Sequence, residues 1–439
     1  MSRENGSGLA GLFHVEEAAA KMQLALHAIQ HRGEDASGLA VADGQGIACE
    51  KNLGLAAEAL KEAGRLAGNS AVGHVANEMK GETGLENVQP IMVRAHQGAF
   101  AVVCCGTISN ADELRQGMES DGLIFQGTSS AELIAHLVQL APGHLHEKIA
   151  QAAQAVEGSY AFLLLTKNTM YAMRSRDGIQ PLSLARLEGG YAFATENAAF
   201  SLLGAEDARE VAPGELIRLG KENELESWTD RISVPVGMCA MEYVYYARPD
   251  STLEGHNVYQ ARQQAGARLA EKETMQADIV IGVPDTAMPA AAAFAAKVGL
   301  PYEIGLIKNR YIGSTFIRPS AEQREKGMRV RLNAISPVVR GRRVFLVDDS
   351  LEKGLTARRL SQLLKEAGAK EVHLRIASPR IVKACPWGRD DVEEAELAAA
   401  EYTDEQLCEL LDLDSLRFLE SEEFEQCVPA GCRACFGKG

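Results

Sequence analysis

Between Asn257 and Ile376, short apolar runs alternate with segments of helical length. The order is helix Asn257 to Lys272, strand Ile279 to Val283, helix Pro289 to Val298, strand Val344 to Val347, helix Thr356 to Ala367 and strand Glu371 to Ile376. Strands separated by helices of this length are joined by crossovers, and crossovers produce parallel βαβ units. The second half of the chain is therefore predicted to be a parallel α/β domain.

Two strand ends in this series carry polar loops. VFLVDDSLEKGLTARRL, Val344 to Leu360, is an apolar strand ending in Asp348 and Asp349, followed by a Gly-containing loop and a helix. A loop of this kind aims backbone N–H groups and a helix N-terminus at a phosphate. Ligands of open parallel sheets bind at the carboxyl ends of the strands, where the two acids would meet sugar hydroxyls or Mg²⁺. A strand-terminal Asp pair serves as a turn and helix cap about as often. IVIGVPDTAMPAAAAFA has the same form, with its polar turn at Asp285 and Thr286. Between the two ends lies a basic island of Lys308, Arg310, Arg318, Arg324, Lys326, Arg329 and Arg331. Its position favours a mobile flap that covers an anion over a merely solvated loop.

The first half has a different grain. After a helical stretch from Val15 to Gln30 come Gly-bounded apolar segments at Ala71 to Val75, Phe100 to Cys105, Tyr160 to Leu165, Met170 to Ala172 and Tyr191 to Ala194. Many short strands with few helices between them predict stacked sheets. SVPVGM, Ser233 to Met238, breaks the pattern, so the domains are expected at residues 1–235 and 236–439. The acidic tail from Arg389 to Gln426 carries interspersed Leu, Phe and Ala, and reads as short amphipathic helices with a solvated face.

Charge bears on partners. With 45 basic and 60 acidic residues the formal net charge is −15, which disfavours binding to nucleic acid. No apolar run approaches the ~20 residues of a membrane span. The N-terminus lacks the pattern of a secretory signal, so a cytoplasmic protein is expected, where nine cysteines point to metal or reactivity more than to crosslinks. Cys432 and Cys435 form CRAC, and a lone CxxC is compatible with zinc, a redox pair or coincidence.

Long strings of the second half resemble the glutamine phosphoribosylpyrophosphate amidotransferase (amidophosphoribosyltransferase) family: EYVYYARPDS, GVPD, GLIKNRYIGSTFI, REKGMRVRLN, VDDS and EAGAKEVHLRIASPR. The resemblance implies a type I phosphoribosyltransferase domain that uses phosphoribosyl pyrophosphate and Mg²⁺. Asp348 and Asp349 would hold the ribose hydroxyls and, with Thr286, help place Mg²⁺. The loop Ser350 to Thr356, with Lys353 and Gly354, would hold the 5′-phosphate. The turn at Asp285 to Ala287 would take the pyrophosphate, and Lys308, Arg310 and Tyr311 would belong to the closing flap. Three positions depart from the family strings: Leu355 replaces a hydroxyl residue, Ala287 a glycine, and Ser314 an arginine. Ala287 would be strained if its position required positive φ.

The first half resembles the family through SGLAGLF, LHAIQHRGEDASGLAV, ENVQP, GTISNADELR and VAPGEL. This implies an N-terminal nucleophile hydrolase domain, an αββα sandwich in which an N-terminal Cys attacks glutamine. Here that position is Ser7, behind Met1 to Gly6. Ala76 stands where the family binds the substrate carboxylate through Arg, Cys105 where it has the oxyanion Asn, and Ser130 where Asp grips the α-amine; Gly106 remains. An inactive glutaminase that still folds, with His31, Arg32 and Gly33 retained, is expected. The product would be 5-phosphoribosylamine, in the first step of purine synthesis, with nitrogen from ammonia or from a partner protein. A regulatory paralogue binding phosphoribosyl compounds or nucleotides is the alternative, and a mature Ser7 nucleophile a third. Cys239 and Cys385 fall where one family branch carries ligands, which with Cys432 and Cys435 implies a [4Fe–4S] cluster, preferred over zinc. The family also implies dimers or tetramers.

Overall fold

The computed structural model describes residues 6–77, 84–95, 98–229, 236–309, 332–389, 392–428 and 431–437. The chain forms two compact units, the first of Met1–Met238 with Thr252–Glu254 and Trp387–Asp391, the second of the remainder.

Two sheets build the first unit. One has seven strands in the order Glu206–Glu210, Ser183–Leu187, Gly190–Ala194, Ser7–Phe13, Ser70–Ala76, Ala36–Ala42 and Ile47–Leu53; the other has six, in the order Leu225–Thr229, Glu215–Leu219, Met170–Arg174, Gly158–Thr166, Gly98–Ile108 and Ile91–Ala95. Their central strands are apolar on both faces because both faces are covered. Along Gly158–Thr166, Tyr160, Phe162 and Leu164 enter a core with the helices Ala111–Ser120, Ser130–Leu140 and Leu145–Ala155. The alternate residues Ala161, Leu163 and Leu165 join Leu9, Phe13 and Val72 of the other sheet in a separate core. On that other sheet, Ala10, Leu12 and Val75 turn the opposite way, toward the helix Ala18–Ala28. The period-2 side-chain alternation of each strand thus generates the αββα layers. The helix expected over Val15 to Gln30 is shorter, Ala18–Ala28, and is followed by a 3₁₀ turn at Gln30–Arg32.

The second unit is built on a parallel sheet of Ile279–Gly282, Arg343–Asp348, Glu371–Ile376 and Ser415–Phe418, in that order. The last strand corrects the reading of the acidic tail. Leu416 lies at the cluster formed by Leu346, Leu374 and Leu407, and tertiary burial there overrides a composition that reads as helix. The rest of the tail is helical at Ala398–Glu401, Asp404–Leu411 and Ser421–Cys427. Among the described residues, no helix is long and apolar enough to cross a membrane.

Candidate active site

The strands Ile279–Gly282 and Arg343–Asp348 are parallel neighbours, with Gly282 opposite Val347, so their polar loops leave the same edge of the sheet side by side. Thr286 donates its hydroxyl to Asp349 Oδ2, and Ser350 Oγ donates to Oδ1 at 2.7 Å. The Asp349 N–H donates to Asp348 Oδ1 at 2.9 Å, and the Ala377 N–H holds the Asp348 carbonyl at 2.9 Å. Residues separated by 63 positions are thereby fused into one polar corner. Asp285, preceded by a cis peptide bond, accepts from Lys308 Nζ at 3.1 Å.

Both Asp348 and Asp349 are buried, each 7% exposed. Burial, reinforced by Asp349, pushes Asp348 well above the usual carboxylate range; burial also raises Asp349, against the hydrogen bonds of Thr286 and Ser350 and the positive charge of Arg262. Two carboxylates held this close in low dielectric favour a cation or a pair of hydroxyl donors. That chemistry suits a divalent metal bound with a sugar diol.

Arg262 escaped the sequence reading. It is 4% exposed on the helix Val258–Glu271, and its Nε and Nη2 each donate at 2.8 Å, to the carbonyls of Tyr243 and Ala247. With Tyr243, Thr286 and Asp349 it lines a recess of about 10 Å³, roughly one water. The signal was present: an arginine on the apolar stripe Val258, Ala261, Ala265, Leu269 has to have internal partners.

Below the acids the loop Ser350 to Thr356 turns into the helix Leu355–Glu366. Gly354 sits at its N-cap with φ 75°, and a Cβ there would meet Leu411 Cδ2 at 2.9 Å, so the position requires glycine. Leu351 is buried in the core, whereas Leu355 is 63% exposed and Thr356 is exposed. Lys353 Nζ pairs with Glu396 Oε1 at 2.6 Å. Ala287 has φ −83° and ψ −9°, ordinary right-handed backbone, so the positive φ that would strain a residue replacing glycine is not required here. Arg310, Tyr311, Ser314 and the island residues Arg318 to Arg331 lie outside the described residues.

In the first unit Ser7 opens the strand Ser7–Phe13 opposite Ala76, 5% exposed, its Oγ buried without a hydrogen-bond partner. Gly33 fits because a Cβ would fall 2.4 Å from the Ala76 backbone. Arg32 Nε donates to the buried Glu196, which His31 Nε2 also meets at 2.6 Å, a structural use of both side chains. Cys105 accepts from Gln180 Nε2 at 3.3 Å, and Ser130 is buried with its Oγ unpartnered, one residue inside a helix capped by Ser129. Gly106 has φ 93°.

Cys239 and Cys432 are bridge partners, and the Ala240 N–H donates to the Cys432 carbonyl at 3.0 Å. Val382 and Lys383 N–H groups donate to the Cys435 carbonyl at 2.9 and 3.1 Å. These bonds draw the CRAC segment toward the chain on which Cys239 and Cys385 lie. None of the nine cysteines forms a disulfide. Among the described residues no group of three His, Cys, Asp or Glu side chains is arranged for a single metal ion. Four cysteine thiols are the donor type that an iron–sulfur group takes.

The glutamine amidotransferase domain model matches residues 79–201, and the phosphoribosyl transferase domain model matches 255–391. The amidophosphoribosyltransferase of Bacillus subtilis (strain 168) is 38% identical over 98% of this chain and 92% of its own length. That of Staphylococcus aureus (strain COL) is 37% identical over 94% of this chain and 84% of its own. A solved structure, glutamine phosphoribosylpyrophosphate amidotransferase from B. subtilis complexed with ADP and GMP, superposes with a TM-score of 0.91 at 38% identity, over 98% of this chain and 96% of that one. Another, described as the allosteric regulatory enzyme of purine biosynthesis, gives 0.92 at 38% identity, over 98% and 95%.

Proposed function

The chain belongs to the amidophosphoribosyltransferase family, and from that premise we propose that it makes 5-phosphoribosylamine from phosphoribosyl pyrophosphate, in purine nucleotide synthesis, with ammonia as nitrogen donor. The observation that carries the reading is the corner formed by Thr286, Asp348 and Asp349 beside the loop Ser350 to Thr356. Asp348 and Asp349 orient the ribose through its hydroxyls. Backbone N–H groups of the loop, the N-terminus of the helix Leu355–Glu366, Lys353 and Thr356 hold the 5′-phosphate. The turn at Asp285 to Ala287, with Thr286, addresses the pyrophosphate, and Lys308, Arg310 and Tyr311 belong to the flap that closes over the substrate. Mg²⁺, when bound by Thr286, Asp348 and Asp349, neutralises charge on the leaving group. The protein's own contribution is to fix C1 in line with ammonia and to exclude water.

The division of labour follows residues 1–235, an amidotransferase-like domain, and 236–439, the phosphoribosyltransferase domain with its Cys-bearing tail. Loss of glutamine hydrolysis is supported by Ala76, Cys105 and Ser130, which leave the substrate's carboxylate and α-amine without countercharges and the oxyanion without one donor; a single such donor accounts for ~10²- to 10³-fold. A [4Fe–4S] cluster on Cys239, Cys385, Cys432 and Cys435 is supported by the bridge between Cys239 and Cys432 and by the hydrogen bonds of Val382 and Lys383 to the Cys435 carbonyl, which bring the tail to the other two cysteines' segments. We further assign a cytoplasmic homodimer or homotetramer. A second reading, a regulatory paralogue that binds phosphoribosyl compounds or nucleotides, is favoured by the exposed Leu355 in the phosphate loop.

The test is pyrophosphate release by anaerobically purified protein given phosphoribosyl pyrophosphate and Mg²⁺, with ammonium, glutamine or no donor. Release with ammonium alone supports the leading reading. Strict dependence on glutamine refutes the loss of the glutaminase, and binding without turnover in any mixture selects the regulatory reading.

A further inference from the structure

The tail of the second unit is fastened to the loop that receives the phosphate. The Ala398 N–H donates to the Glu352 carbonyl at 2.9 Å, while Ala398, Leu407 and Leu411 share one core with Leu351. Lys365 Nζ binds Asp412 Oδ1 at 2.7 Å, tying the tail to the helix that follows the loop. Glu396 is itself held in place by a capping box, its carboxylate accepting from the Glu393 N–H at 3.3 Å. From that fixed position it pairs with Lys353 Nζ at 2.6 Å, the two side chains being 46% and 35% exposed.

Lys353 is the cation within the loop Ser350 to Thr356, and its ammonium is a mobile point charge on a flexible stem. A phosphate monoester dianion in the loop and the Glu396 carboxylate therefore compete for one cation. We infer that Glu396 is a positioning residue that sets the loop's affinity for the 5′-phosphate, by holding Lys353 toward the tail. The inference rests on the reading of this loop as the 5′-phosphate site. A half-exposed ion pair is weak, so the competition is worth about two- to fivefold in affinity rather than orders of magnitude. Such a device keeps affinity low and makes it adjustable from the tail.

The experiment is a double-mutant cycle of Glu396→Gln and Lys353→Gln, in the full chain. Gln at 396 keeps the acceptor that the capping box needs, so folding is retained. Binding of ribose 5-phosphate is measured by calorimetry, and KM and kcat with phosphoribosyl pyrophosphate. Glu396→Gln should tighten ribose 5-phosphate and lower KM about two- to fivefold, with kcat within about twofold. Lys353→Gln should weaken both, and in its background Glu396→Gln should have no effect. An equal effect of Glu396→Gln in both backgrounds overturns the inference, as does no effect while Lys353→Gln weakens binding. Unchanged binding in Lys353→Gln removes Lys353 from the phosphate site and overturns the inference, whereas no binding of ribose 5-phosphate by the unsubstituted chain overturns the loop reading itself.

Discussion

Thr286 and Asp349 are joined by a hydrogen bond from the threonine hydroxyl to the carboxylate, across the ends of two neighbouring parallel strands. The bond orients a buried acid whose other oxygen is held by Ser350 at 2.7 Å. Thr286→Val keeps the shape and deletes the donor, so kcat/KM for phosphoribosyl pyrophosphate should fall about 10- to 100-fold, the usual effect of removing a group that orients a metal-binding carboxylate. Thr286→Ser should retain most of it. Steady-state kinetics over a Mg²⁺ titration checks both, and an unchanged Thr286→Val would remove Thr286 from the site.

Glutamine-dependent release should stay absent in Ser7→Cys, because a nucleophile alone restores neither the carboxylate grip at Ala76, the oxyanion donor at Cys105 nor the amine grip at Ser130. Glutamate production is the readout. Activity in the single variant would show that the three other replacements are tolerated.

His74 lies 3% exposed in the strand Ser70–Ala76, and burial pulls its imidazole down from 6.5 to about 3. The unfolded chain takes up a proton as pH falls below about 6.5 while the folded one does not. Stability is thus full above that pH and is lost toward pH 3, with a slope approaching about 1.4 kcal/mol per pH unit for this one group. The melting temperature of the wild type should drop more steeply between pH 7 and pH 5 than that of His74→Gln. Parallel curves would mean that His74 charges without penalty.

Anaerobically purified protein should carry about four iron and four sulfide per chain and be coloured by the cluster. Each of Cys239→Ser, Cys385→Ser, Cys432→Ser and Cys435→Ser should lose most of it, whereas Cys408→Ser should not. Stoichiometric zinc with no colour would replace the cluster with a zinc site.

Central strands such as Gly158–Thr166 and Arg343–Asp348 were legible because burial on two faces leaves apolar runs, and the motif VFLVDD announced its own strand, turn and helix; exposed edge strands such as Glu206–Glu210 and Leu225–Thr229 carry no such run and were not. The strand Ser415–Phe418 was not legible. Its residues SLRF lie in an acidic stretch, and only pairing with Glu371–Ile376 makes them a strand. The backbone at Ala287 was not legible for a related reason, since a family substitution for glycine does not reveal φ.

The sequence by itself determined the alternation of helix and strand between Asn257 and Ile376 and the polar chemistry at its strand ends, because hydrophobic periodicity and turn residues act over a few positions. The tertiary structure alone decided which ends meet. Thr286 with Asp349 and Arg262 with the Tyr243 carbonyl are pairs separated by 63 and 19 positions, brought together only when the sheet and its covering helices exclude water. Burial fixes these partners, since a charge or hydroxyl removed from solvent takes the nearest complementary group, and no local pattern encodes which group that is.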